Sequence, residues 1–131
     1  MSWGDHRIVA TARPGSWDDV KIGGGAVPFK VHANRQDAWL AIYHGVTGSP
    51  ATYLLGALLL DQYDPSKVIA RSREPILRPE APYEREGFFG SVVFTCGALV
   101  EGDLVRIYYG AADDVTAVAD LSLDEILAGL A

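Results

Sequence analysis

Apolar positions along the chain come in short alternating runs rather than at helical spacing, so the pattern predicts strands. HRIVATARP (6–14) alternates and stops at Pro-Gly, a turn signal. GAVPFKV (25–31) follows a run of glycines, and AWLAIYHGV (38–46) stops at TGSP. ATYLLGALLLDQ (51–62) has a helix former's composition, but Tyr53, Gly56 and the bracketing turns favour a buried strand. KVIARS (67–72) gives way to REPILRPEAPYE, whose prolines suit a long surface loop. SVVFTCGALV (91–100), DLVRIYYGA (103–111) and VTAVADLS (115–122) complete the strands. SLDEILAGL (122–130) differs. Ser122 stands three residues before Glu125, the spacing of a capping box, and Ile126, Leu127 and Leu130 share one face, predicting a short terminal helix.

IYHGV at 42–46 is echoed by IYYGA at 107–111. One identical spacing separates Ile42 from Ile107, Tyr43 from Tyr108, Gly45 from Gly110 and Phe29 from Phe94. Such a period marks a repeated supersecondary unit. Short antiparallel strands with regular turn signals read as sandwich sheets or propeller blades. The expected fold is therefore all-β: two four-stranded β-propeller-type blades, about 25–73 and 90–122, with a short C-terminal helix, in one domain over 1–131. The second unit is one strand short. The strand at 6–14 is expected to complete a blade, within the chain or by exchange with a neighbour.

With 131 residues the chain suits one domain with a real core. A net charge of −6 and scattered Lys and Arg argue against nucleic acid or an anionic membrane as partner. Cys96 is the single cysteine, which excludes an internal disulfide and a cysteine-based zinc cluster; it is expected as a small buried thiol. His6, His32 and His44 lack metal-ligand spacing, so no metal and no cofactor is expected. The first residues have no apolar core region, and YLLGALLL is too short to span a bilayer, so a cytoplasmic protein is expected.

WDDVKIGGG, WLAIYHGV, YLLGALLLDQYDPSKVIARSREPILRPEAPYEREG, VVF and IYYGAAD follow one another in an order that resembles the C-terminal half of the family 130 glycoside hydrolases. These are largely phosphorylases acting on β-mannosides. The resemblance covers roughly residues 7–120. It implies a five-bladed propeller with an axial active site, where inorganic phosphate attacks the mannoside and inverts the anomeric centre. It implies that Lys21 and His44 contact the phosphate, that Tyr53 lies near the same pocket, and that Asp113 binds the sugar on the cleaved side. Cationic donors suit a phosphate nucleophile, and a carboxylate can fix two sugar hydroxyls by charge-assisted hydrogen bonds. The resemblance places the general-acid Asp and an arginine-rich phosphate segment in the family's N-terminal half. Neither Asp18 and Asp19 nor Asp113 and Asp114 match the acid's motif, so no catalytic residue is assigned.

Read without the resemblance, Gly23, Gly24 and Gly25 permit a sharp bend into an innermost strand, and the order of a phosphate-binding loop is absent. Glu84 could cap a loop or line the cleft and reads as a loop cap; Trp17 and Trp39 could stack on a sugar ring but read as core. Two blades leave apolar faces and open edges, so a homo-oligomer is expected. Three functional readings stand open: a mannoside-cleaving enzyme built from several copies, a non-catalytic sugar and phosphate-binding module, and a structural remnant.

Overall fold

Alternation in QDAWLAIYHGVT puts Ala38, Leu40, Ile42 and Val46 on one face, all buried; this stretch forms β3 (Gln36–Thr47). The computed structural model describes residues 3–131. β4 (Thr52–Asp61) runs back beside β3, in register from Thr47↔Thr52 to Ala38↔Asp61, and β5 (Val68–Arg71) follows on its far side. Two short strands share the other edge of β3. β1 (Lys21–Gly24) pairs with Tyr43 to Val46, and β2 (Phe29–Ala33) pairs with Gln36 to Leu40. β6 (Val93–Glu101), β7 (Leu104–Ala111) and β8 (Val115–Ser122) form a separate three-stranded meander. α1 (Pro82–Arg85) lies in the linking loop and α2 (Leu123–Ala128) follows β8.

One core joins the two sheets. Leu40, Ile42, Leu55 and Leu59 from the first meet Val93, Val105, Ile107 and Tyr109 from the second, with Ile126 of α2 closing the side. The chain end then joins the first sheet, where the Arg71 and Ala131 backbones bond to each other in both directions. Ser122 Oγ accepts the Glu125 N–H, as the capping box requires. Asp103, rather than the Glu125 side chain, supplies the second acceptor, taking bonds from Ser122 Oγ and the Asp124 N–H. The molecule is thus all-β with a short C-terminal helix, two blades of a partial β-propeller, and among the described residues no helix is long and apolar enough to cross a membrane.

Four expectations change in detail. Residues 6–14 form no strand ladder within the chain: β1 and β2 fill the edge of β3, the chain end meets the edge of β5, and β8 pairs with β7 alone. The strand that KIGG forms in their stead carries no alternation. Cys96 is exposed, not buried: alternation from the buried Val93 and Thr95 turns it outward, and it is the extra residue at the register shift between Thr95 and Gly97. REPILRPEAPYE holds α1. The echo matches β3 with β7, with Ile42 and Ile107 both in the shared core, but Phe29 and Phe94 are not equivalent. Phe94 pairs with Gly110, whereas the partner of Gly45 is Ile22.

The outer face of the first sheet is covered by the segment around Ala10 to Asp18. Trp17 stacks on Tyr43 at 5.7 Å and donates from Nε1 to the Arg73 carbonyl. A side chain at Gly45 or Gly56 would run into the Trp17 ring, so the chain is bare where the indole lies. Beside it Asp18 is fully buried. Its carboxylate takes a forked pair of bonds from Arg13, one from Arg71 and one from the Tyr43 hydroxyl at 2.8 Å. Burial works against the charge, but these donors and the two guanidinium charges outweigh it and hold the carboxyl below its ordinary range. Trp39 is half-buried, with Nε1 bonded to the Gln62 carbonyl and Lys30 over its ring.

Candidate functional site

Three adjacent strands carry Lys21, Val46 and Tyr53 side by side at one end of the first sheet. The pairing brings the Lys21 ammonium over the Tyr53 ring, 5.2 Å from its centroid. His44 lies two residues along β3 from Val46, on the same face. Its ring sits opposite Gly23, where a Cβ would overlap the imidazole, so glycine is required for the ring to lie against β1. Burial pushes the His44 pKa below its ordinary 6.5; a backbone hydrogen bond at Gly24 opposes this and the nearby Lys21 charge adds to it. At neutral pH it is therefore an uncharged imidazole with one N–H and one lone pair, and its Nδ1 is buried with no partner within the protein.

The second sheet supplies the other wall. Phe94 of β6 packs on His44 with centroids 4.4 Å apart, and Tyr53 meets Phe89 edge-on at 6.3 Å. Asp113 stands at the tip of the β7–β8 hairpin. Ala112 and Asp113 both have positive φ, 49° and 54°, and the Asp114 N–H bonds to the Ala111 carbonyl. That is the mirror-image turn that suits twisted hairpins, and Asp tolerates it better than most residues. Tyr53, Phe89, Val92, Phe94 and Asp113 line an open hollow of about 240 Å³. Tyr53 and Asp113 thus line the hollow, and Lys21 and His44 lie against its Tyr53 and Phe94 walls, although the four come from four segments. Cation and imidazole lie on one side, a carboxylate on the other, and aromatic faces between.

Phe89 and Phe94, both partly exposed, were not named as site residues from the sequence. Phe94 sits inside an apolar run that reads as core, and Phe89 in a glycine-flanked loop. Glu84, read as a loop cap, is one. It is buried, accepts the Glu80 and Ala81 N–H groups at 2.6 and 2.8 Å, and accepts the Tyr109 hydroxyl. Burial opposes its charge, but the Tyr109 hydroxyl and the two backbone donors hold its pKa below the ordinary value; burial, with the carboxylate beside it, raises that of Tyr109. Trp17 and Trp39 lie on the other face of the first sheet, away from the hollow. Among the described residues no group of three or more His, Cys, Asp or Glu is placed to hold a metal ion.

A family described as beta-1,4-mannooligosaccharide phosphorylase matches residues 1–130. The chain is 48% identical over 126 residues to a beta-1,2-mannobiose phosphorylase of Listeria innocua, covering 96% of this chain and 34% of that protein. It is 44% identical over 125 residues to a 1,2-beta-oligomannan phosphorylase of a Thermoanaerobacter species, covering 95% of this chain and 40% of that protein. The solved structure of the Listeria innocua beta-1,2-mannobiose phosphorylase, in complex with beta-1,2-mannobiose, superposes with a TM-score of 0.87 at 46% identity, over 96% of this chain and 34% of that one. The chain therefore spans between a third and two fifths of the length of these relatives.

Proposed function

Starting from a chain that belongs to glycoside hydrolase family 130, we propose that it binds inorganic phosphate and a mannoside-type sugar in a half-site and does not by itself cleave a glycosidic bond. The placing of Lys21 and His44 against the aromatic wall of a hollow that Tyr53 and Asp113 line carries this reading. Lys21 supplies a full positive charge to phosphate, and the neutral His44 ring and the Tyr53 hydroxyl supply directed donors. Asp113 accepts bonds from two hydroxyls of one sugar ring, and Phe89 and Phe94 offer faces to its C–H side. Asp113, the one carboxyl of the four, is exposed at a turn and matches no general-acid motif, so none of the four is assigned as proton donor. The general acid that bond cleavage needs is then supplied from outside this chain. Calorimetric titration with phosphate and with mannose tests the binding, with His44→Ala weakening the first and Asp113→Asn the second. Incubation with beta-1,2-mannobiose and phosphate tests the rest: release of a sugar 1-phosphate by this chain alone would overturn the non-catalytic part.

The outer faces favour self-association as part of the same proposal, in a cytoplasmic setting. Tyr108 and Val118 stand beside each other on the face of β7–β8 turned away from the core, both at least 40% exposed. At the other end, Ile22, Ala41, Leu58 and Leu60 line an apolar groove beside Ile8 and Val27. A ridge and a groove on opposite ends suit head-to-tail packing of copies. Light scattering across a dilution series tests it: a mass equal to one chain throughout would overturn it.

A further inference from the structure

Two walls of the hollow hang on a residue that does not line it. Glu84 Oε2 holds the turn ahead of α1 through the Glu80 and Ala81 N–H groups, while Oε1 takes the Tyr109 hydroxyl from the middle of β7. The Glu84 carbonyl accepts the Val92 N–H, and the loop between them folds back so that the Ser91 N–H meets the Arg85 carbonyl. From that loop the Phe89 N–H donates to the Ala112 carbonyl at 2.9 Å, inside the positive-φ hairpin that presents Asp113. Gly87 lies so close to Ala112 that a side chain there would collide with it. One buried carboxylate therefore ties the loop carrying Phe89 to β7, the strand that leads into the turn holding Asp113. The hairpin needs that tie, because Ala112 is held in a conformation that alanine alone does not favour.

We propose that Glu84 is a positioning residue: it sets Asp113 and Phe89 against the Lys21–His44–Tyr53 wall and so determines sugar binding without touching the sugar. This rests on the half-site reading above. Its cause is geometric, so a side chain that keeps the bonds must keep the function. Gln can do so: its oxygen accepts the two backbone N–H groups and its amide donates to the Tyr109 oxygen. Ala cannot.

The test uses the full chain with D-mannose and inorganic phosphate as probes, beside amide hydrogen exchange at Phe89. Glu84→Ala is expected to speed exchange of the Phe89 amide and to weaken mannose binding by about ten-fold, the loss expected for a charged buried hydrogen bond. Phosphate affinity, set by the first sheet, stays within about two-fold, since sites that share no partner act independently. Glu84→Gln restores both mannose affinity and Phe89 protection. If the alanine variant does not fold, Tyr109→Phe removes one arm of the tie and is expected to shift Phe89 exchange in the same direction. Failure of Gln to rescue a folded Ala variant would overturn the proposal, since it would make the charge itself the requirement. Equal loss of mannose and phosphate binding, or unchanged Phe89 exchange in both Glu84→Ala and Tyr109→Phe, would also overturn it. If wild type binds no mannose, the half-site reading fails, and the exchange data alone still decide whether Glu84 holds the loop.

Discussion

Replacing Asp18 by Asn removes one negative charge from a site where two arginines and a tyrosine converge on it. Asn is nearly the same size, so the packing under Gly45 survives and the loss is electrostatic. Removing one partner of a buried ion pair costs roughly 3–5 kcal/mol. Arg13 is about a third exposed and Arg71 less so, which lets water screen part of the orphaned charge and favours the lower end, about 3 kcal/mol. With a urea slope of about 1.5 kcal/mol per molar, the unfolding midpoint drops by about 2 M. Urea denaturation followed by tryptophan fluorescence reads this directly, since Trp17 stacks within the same cluster. The pH dependence supplies a second check. The folded carboxyl is held below its ordinary 3.8, so the unfolded chain takes up the proton first. Its stabilisation is complete above the unfolded pKa and disappears as pH falls through the folded value. The gap between wild type and variant should be constant from about pH 5 upward and close below about pH 4. A midpoint within 0.3 M of wild type (about 0.5 kcal/mol on that slope), or a gap that persists into acid, would refute the reasoning.

Gly23→Ala forces the His44 ring off β1 and should cost about 1–3 kcal/mol, with phosphate affinity falling alongside, as calorimetry would record. The His44 pKa is depressed, so the unfolded imidazole protonates first and stability falls as pH drops below 6.5; His44→Gln should flatten that slope in thermal melts. Bound phosphate should raise the His44 midpoint in an NMR titration, because an anion favours the imidazolium. Val118→Lys should shift light-scattering mass toward the single chain without altering the melt, since the side chain is half exposed.

How far the fold was legible depended on whether local pattern and tertiary contact agreed. The long central strands β3, β4 and β7 alternate or run apolar because they are buried, and they read directly. β1 did not, since KIGG owes its strand geometry to the edge of β3 and to the His44 ring that excludes any side chain at Gly23. Residues 6–14 show the converse: an alternating sequence lies outside both sheets, although β8 has a strand partner on one side only, and Arg13 and Arg71 tie it to the first sheet's face. In β6 Cys96 faces outward at the register shift, which the apolar run around it does not reveal. The candidate residues were named through family resemblance rather than spacing. That Lys21 and His44 lie against a hollow lined by Tyr53 and Asp113 is a product of blade packing. Glu84 was read as a cap from sequence and is one, but its bond to Tyr109 across to β7 needed the fold.

The central claim is that Lys21, His44, Tyr53 and Asp113 act as one half-site, and a backbone amide NMR titration of this chain tests it most directly. Inorganic phosphate is expected to move resonances at Lys21, Gly23 and His44. Mannose is expected to move those of Asp113, Phe89 and Phe94, each saturably. Shifts absent with both ligands, or confined to exposed cations remote from the hollow such as Lys30 and Lys67, would contradict the claim.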